Sequence, residues 1–210
     1  MMEFFSWFKS VQPAKKWLIV GKGPTFARRK EVNLGEYNVL ALNHVVREMD
    51  VQIAHMIDIN VVRELGIEGI SRAGMVLIPY HPHVNFNATD RALPDFLPEY
   101  PELRKLDEEN HLLWYNLSTW PRPERVAPIV QVAYFSAEAA VRLLSMAGVK
   151  TIRTLGVDGG AAYAQEFTDH KPFRGGHATF DLQWQSIYAT VKEFGVDFGA
   201  LFLADGGILA

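Results

Sequence analysis

His177 follows the glycine pair Gly175-Gly176 and precedes Phe180, Trp184, Ile187, Tyr188 and Val191, which recur at helical spacing. An unperturbed imidazole titrates near neutrality, so it can take a proton from a hydroxyl at physiological pH. A helix N-terminus behind it disfavours the imidazolium and keeps such a base neutral. The same position suits a histidine that serves only a helix cap or a surface loop. Asp158, with Gly159, Gly160 and then Tyr163, closes another candidate stretch. Asp158 could orient His177, bind a ribose or sugar hydroxyl, or stabilise the glycine turn. The hydroxyls of Tyr163 and Ser136, with backbone N–H groups around Gly23, could donate to a departing phosphate. His81-Pro82-His83 has a spacing that could share a metal, but no carboxylate or cysteine lies close in sequence, so no metal is expected there.

These residues need elements to position them. Residues 17–20, Trp-Leu-Ile-Val, read as a central parallel strand running into Gly21-Lys22-Gly23-Pro24-Thr25. Gly21 and Gly23 let the backbone turn tightly and approach a ligand closely. Phe26 stands where a dinucleotide loop needs a small residue, and no Gly-Lys-Ser/Thr follows as a P-loop requires. The ordinary alternative is a plain strand-to-helix turn. Arg28, Arg29 and Lys30 then open a short polar helix, from which Arg28 or Arg29 could reach a phosphate or simply face solvent. Strands at 38–43 and 51–58 end in Asn43 and in Asp58 and Asn60. In open α/β sheets ligands bind beyond the carboxyl ends of strands, where these polar tips would lie. A short helix begins at about 61, and 75–78 is the next strand. Ser136 is placed as the N-cap of a helix closed by Gly148, and the free N–H groups of that N-terminus could face an anion. A strand at 149–157, a helix at 178–194 and a strand at 196–203 complete a Rossmann-like α/β reading, with a mostly parallel sheet and helices on both faces.

Between Pro79 and Pro128 lie eight of the eleven prolines, with Tyr80, Tyr100, Trp114, Tyr115 and Trp120. Proline ends helices and is poorly tolerated in central strands, so about 79–128 reads as a proline-rich lid insertion of loops and short pieces, broken by a strand near 112–116. The main domain spans 16–204. Residues 1–15 form an aromatic segment, with Lys15 and Lys16 following the aromatics, suited to packing on the domain or on a partner chain or to peripheral contact with a membrane interface. Residues 205–210 read as a tail or linker.

Nearly half the residues are hydrophobic and about a fifth charged, which suits one soluble domain with a proper core. A formal charge of −3 argues against broad nucleic-acid binding. With no cysteine there is no disulfide framework or thiolate chemistry, and a cytoplasmic location, extending to the inner face of the membrane, is the simplest expectation.

The ordered set Gly21-Lys22-Gly23-Pro24-Thr25, Asn43, Asp58 to Asn60, Ser136, Gly156-Val157-Asp158 with Tyr163, and Gly176-His177 resembles the bacterial sialyltransferases of glycosyltransferase family 42. It equally resembles the related domain that includes archaeal 6-hydroxymethylpterin diphosphokinase-like proteins. The resemblance spans roughly residues 16–203, without the proline-rich insertion. It implies a glycosyltransferase with a cytidine-monophosphate-linked sugar donor, a glycan or other hydroxyl acceptor and no required cofactor or metal. It implies nucleotide contacts for Gly21, Gly23, Pro24, Thr25, Asn43, Asn60 and Ser136, a general base at His177 and a phosphate contact at Tyr163. Two departures stand out. Gly159-Gly160 replaces an aromatic pair, and Asp58-Ile59-Asn60 replaces the family's Asn-Pro. That Asp58 could hold a metal. The pterin-type alternative needs ATP and Mg²⁺ on Asp58 and Asp158. A non-catalytic nucleotide-binding domain of a larger glycan-assembly protein is the third reading. Oligomer formation fits any of them.

Overall fold

The computed structural model describes residues 1–11, 16–118, 128–170, 172 and 174–203. Lys15, Trp120 with the rest of 119–127, Phe173 and the 205–210 tail lie outside the described residues. The strands are β1 (Met2–Glu3), β2 (Lys16–Val20), β3 (Tyr37–Leu42), β4 (Val51–His55), β5 (Ala73–Pro79), β6 (Leu112–Leu117), β7 (Ile129–Val130), β8 (Thr151–Leu155) and β9 (Asp197–Ala200). The helices are α1 (Phe4–Val11), α2 (Asn60–Ile70), α3 (Pro101–Glu108), α4 (Ser136–Met146) and α5 (Gln183–Phe194).

The described strands form one sheet in the order β1-β6-β5-β4-β3-β2-β8-β9, with β7 beside β6, and every pairing is parallel. Parallel strands are buried on both faces, which is why β2, β3 and β5 are continuous apolar runs rather than alternating ones. From β2 the chain steps outward strand by strand to β6. It then returns through α4 to β8, on the other side of β2. The order reverses at β2, which places a crevice at the carboxyl tips of β2, β3 and β8. One core, built on Phe26, Val45, Val62, Phe96 and Leu103, covers one face of the sheet. The other, built on Phe4, Trp17, Val141, Leu144 and Ile187, covers the opposite face. The Rossmann-like reading with helices on both faces is the observed fold.

The structure gives the 79–128 stretch more regular structure than its prolines suggest. Pro101 opens α3, where its missing N–H costs nothing, and Leu103 and Leu106 bury that helix. β6 lies inside the sheet between β5 and β1. The N-terminal segment also belongs to the domain. β1 pairs with β6, and Phe4 and Phe8 are buried, with Phe8 packed against Trp17. Membrane contact through these two rings would require them to leave the core. Among the described residues no helix is long and apolar enough to cross a membrane.

The tips of β2 and β8 touch. Gly21 N donates to Leu155 O at 2.8 Å and Gly23 N to Gly156 O at 2.7 Å. A Cβ on Gly21 would stand 2.4 Å from Gly156 O, and one on Gly156 would stand 2.2 Å from Gly21 O. Gly156 also has φ +68°. Gly156→Ala therefore combines left-handed strain with a backbone clash and is expected to cost roughly 2–5 kcal/mol. Gly148 has φ +89° but open space around it, so Gly148→Ala should cost only about 1 kcal/mol. Urea unfolding of the two variants checks this. Equal losses would mean that the contact between the two corners is not what constrains position 156.

Candidate active site

A cavity of about 690 Å³ opens at the reversal point. It is lined by Gly21 and Gly23 after β2, Asn43 after β3, Asp58 and Asn60 after β4, Ser136 at the start of α4, and Asp158 and Tyr163 after β8. Residues far apart in sequence meet there because all the strands are parallel and present the same end. Pro24, Thr25 and His177 do not line it. Pro24 begins a 3₁₀ turn, residues 24–31.

Thr25 and Asp158 lock the corner. Thr25 N donates to Asp158 Oδ2 at 2.7 Å and Thr25 Oγ1 to Asp158 Oδ1 at 2.5 Å. Gly156 N in turn donates to Thr25 Oγ1 at 2.8 Å. Both oxygens of Asp158 thus accept hydrogen bonds from the neighbouring turn. Burial raises its pKa, and the two bonds from Thr25 oppose the rise. Ala164 N donates to Lys22 O at 2.7 Å, which sets Tyr163 beside the turn. The Tyr163 ring stacks on Phe180 with centroids 5.8 Å apart.

The acidic tip of β4 serves the loop opposite. Asp58 accepts from Asn60 N at 2.8 Å and from Phe86 N, and Asn60 Oδ1 accepts from Asn85 N at 3.0 Å. Asn85 and Phe86 are both left-handed, so these bonds pin a strained turn at the cavity mouth. Asn43 is left-handed as well, at φ +52°, a conformation that asparagine tolerates better than most residues.

Ser136 is not the N-cap of α4. Phe135 occupies that position, and the buried Glu138 accepts the N–H groups of Ala133, Tyr134 and Phe135 at 3.0, 3.1 and 2.8 Å. The cap is a carboxylate reaching backwards from the first turn, which leaves Ser136 on the cavity wall. Arg28 pairs with Glu31 and lies over the Phe202 ring, while Arg29 pairs with Glu166. Neither lines the cavity, because Pro24 turns the following segment away from it.

His177 is next to the cavity but does not line it. Its ring meets Tyr134 and Phe135 edge-on, with centroids 5.2 and 6.3 Å away, and both of those residues line the cavity. Gly159 has its own reason to be glycine. A Cβ there would stand 2.2 Å from Asp181 Oδ1, the atom that accepts Gly160 N at 3.0 Å. His81 Nδ1 bonds the carbonyls of Asp90 and Arg91 at 3.0 and 3.2 Å, whereas His83 lines the cavity, so the two do not act as a pair.

Sequence reasoning missed one group. Lys22, His44, Glu64 and His170 all line the cavity. His44 Nε2 bonds Glu64 Oε2 at 2.7 Å, and the His44 and His170 rings lie 4.0 Å apart. Burial, then the nearby Lys22, lowers the His44 pKa to about 3. Among the described residues His44, Glu64 and His170 are the group whose donor atoms could meet around one metal ion. Lys22 and Arg47 stand beside them, and Arg47 donates to His170 Nε2 at 2.9 Å. Two neighbouring cations and an occupied ring nitrogen make this a poor cation site at neutral pH. The signal was partly visible, since Lys22 lies inside the glycine turn and His44 directly follows Asn43.

No protein-family model and no curated protein sequence matches the chain. Solved structures do match. A variant of the sialyltransferase CST-II in complex with CMP aligns with TM-score 0.56 and 11% identity, covering 93% of this chain and 86% of that one. CST-II with a trisaccharide acceptor and CMP aligns at TM-score 0.53 and 11% identity over the same shares of the two chains. The CstII sialyltransferase from Campylobacter jejuni with the substrate analogue CMP-3FNeuAc aligns at TM-score 0.53 and 12% identity, again over those shares. The fold is therefore that of a sialyltransferase-type, Rossmann-like glycosyltransferase.

Two buried imidazoles give the molecule a pH signature. His55, inside β4 and bonded to Tyr115 Oη at 2.8 Å, is held by burial at a pKa of about 3, as His44 is. Below about pH 6.5 the unfolded chain binds protons at these sites and the folded chain does not. Stability present above that pH is lost as pH falls toward 3, by up to about 1.4 kcal/mol per pH unit for each histidine. In urea titrations between pH 7 and 4.5 the wild type should lose stability more steeply than His55→Gln. Identical slopes would rule out a neutral buried His55.

Proposed function

We propose that the protein is a glycosyltransferase that moves a sugar from a nucleotide-activated, cytidine-monophosphate-linked donor to a glycan or other hydroxyl acceptor. One observation supports this most. The cavity lies where a doubly wound sheet binds nucleotides, its wall carries the Gly21–Gly23 turn, Asn43, Ser136 and Tyr163, and the frame is that of a sialyltransferase solved with CMP.

In this reading the acceptor oxygen bonds to the anomeric carbon as the bond from that carbon to the phosphate oxygen breaks. CMP leaves with the electron pair, and the acceptor proton passes to His177. The left-handed Gly175 and Gly176 give the loop the freedom to bring the imidazole past Tyr134 and Phe135 into the cavity. The hydroxyls of Tyr163 and Ser136 donate to the leaving phosphate, whereas the N–H groups of Gly21, Gly23 and Thr25 are taken up within the corner itself. Asp158 holds the turn through Thr25 and so fixes the cavity wall at Gly21–Gly23. The step needs no cofactor, and Lys22 in the cavity wall, with Arg47 close by, favours an anionic ligand over a metal. A pyrophosphate transfer with Mg²⁺ on Asp58 and Asp158 is less well supported, because both carboxylates already accept backbone hydrogen bonds. The absence of cysteine is compatible with a cytoplasmic site of action.

Thermal shifts with cytidine, uridine, guanosine and adenosine nucleotides test the donor. CMP at 100 times its dissociation constant should add about 2.7 kcal/mol of stability. His177→Ala should lower turnover on the order of 10²- to 10⁴-fold while CMP still stabilises the fold. Full activity in that variant would remove His177 from the mechanism, and the absence of any cytidine-nucleotide shift would remove the donor.

A further inference from the structure

Lys22 lies between the two glycines of the turn, lines the cavity and is half-buried. Its ammonium stands 4.4 Å over the centroid of the Tyr163 ring. The charged neighbours come from three elements and are already engaged. After β3, His44 is bonded to Glu64, and Arg47 pairs with Glu48 and Asp169. From α2, Glu64 meets His44. In the loop after β8, Asp169 binds Arg47 through both oxygens, at 2.8 Å each. Among the described residues no carboxylate pairs with Lys22, so the cavity wall holds an ammonium with an aromatic face but no counter-ion. His170 adds to this. Arg47 donates to its Nε2, so its proton resides on Nδ1, and the ring offers a further donor rather than an acceptor.

We propose that Lys22, assisted by His170, is the anchor for an anionic oxygen of the ligand, a phosphate or carboxylate oxygen, at the cavity wall between the tips of β2 and β3. The nature of the ligand rests on the nucleotide-sugar reading, but the anion site itself does not. An ammonium withdrawn from water without a counter-ion is costly, and a bound anion supplies the missing charge. The alternative occupant is a divalent cation on His44, Glu64 and His170, and the positive charges of Lys22 and Arg47 oppose it. The anchor also makes binding pH-dependent. Burial and the nearby Arg47 lower the Lys22 pKa to about 8, while Glu64 and Asp169 pull the other way. Above that pH the free protein loses the proton the anion needs.

Calorimetric binding of CMP, cytidine and free N-acetylneuraminic acid to the wild type, Lys22→Met and Lys22→Arg tests this. Lys22→Met should weaken binding of whichever acidic ligand uses the site by roughly 10- to 100-fold and leave uncharged cytidine unchanged. An effect on CMP identifies the phosphate, and an effect on the sugar acid identifies the carboxylate. Between pH 7 and 9.5 wild-type affinity for that ligand should fall roughly 5- to 20-fold, while Lys22→Arg should hold its affinity with a flat profile. Equal affinity of wild type and Lys22→Met for both acidic ligands overturns the proposal, whether or not cytidine binds. If neither nucleoside nor nucleotide binds, the donor reading fails alone, and inorganic phosphate decides the anchor through ¹³Cε NMR of Lys22. A raised Lys22 pKa on adding phosphate supports the site, and an unchanged one overturns it. Tight binding of Zn²⁺ or Mn²⁺ that His44→Gln abolishes also overturns it.

Discussion

At the tips of β2 and β8 two backbones meet with no room for a side chain on either. The carbonyl of Gly21 faces the α-carbon of Gly156, and the carbonyl of Gly156 faces that of Gly21. This contact joins the two strands that flank the reversal of the sheet, so it fixes the width of the crevice between them. Thr25 and Asp158 then close the gap with three hydrogen bonds that cross more than 130 residues of sequence. Everything that lines the cavity hangs from strands registered by this joint.

The polar inventory of the cavity divides by charge. The carboxylates of Asp58 and Asp158 spend their acceptor capacity on backbone N–H groups of adjacent turns, and Glu138 does the same one helix away. They shape the site. The donors and cations are less committed. Among the described residues Lys22 meets the Tyr163 face and pairs with no carboxylate, and Asn43 is held in a left-handed conformation at a strand tip. A crevice whose acids are engaged by its own backbone and, for Glu64, by His44, and whose wall carries Lys22, favours an acidic ligand. This agrees with a nucleotide phosphate or a sugar carboxylate and disagrees with a divalent metal.

The parallel strands were legible because burial on both faces leaves long apolar runs, and the glycine corners were legible because glycine spacing marks tight turns. Asn43, Asp58 and Asn60 were visible as polar ends of those runs. The capping of α4 was misread, since a Ser before an alanine-rich helix looks like an N-cap while Glu138 sits two residues further on. The arginines after the turn looked available to a phosphate, but Pro24 starts a 3₁₀ turn that delivers them to Glu31 and Glu166. Proline density hid α3 and understated β6, because Pro101 at a first helical turn and Pro79 at a strand end break nothing.

The sequence by itself determined the fold class, the positions of the turns and the kinds of groups available, because periodicity, glycine and strand-end polarity are local properties. Only the tertiary structure decided which of those groups are already engaged. Whether Asp158 faces a ligand or a threonine, whether Lys22 has a counter-ion, and whether His177 lines the cavity or packs on Tyr134 depend on contacts between distant segments. Those contacts come from strand order and packing, which a linear pattern does not encode.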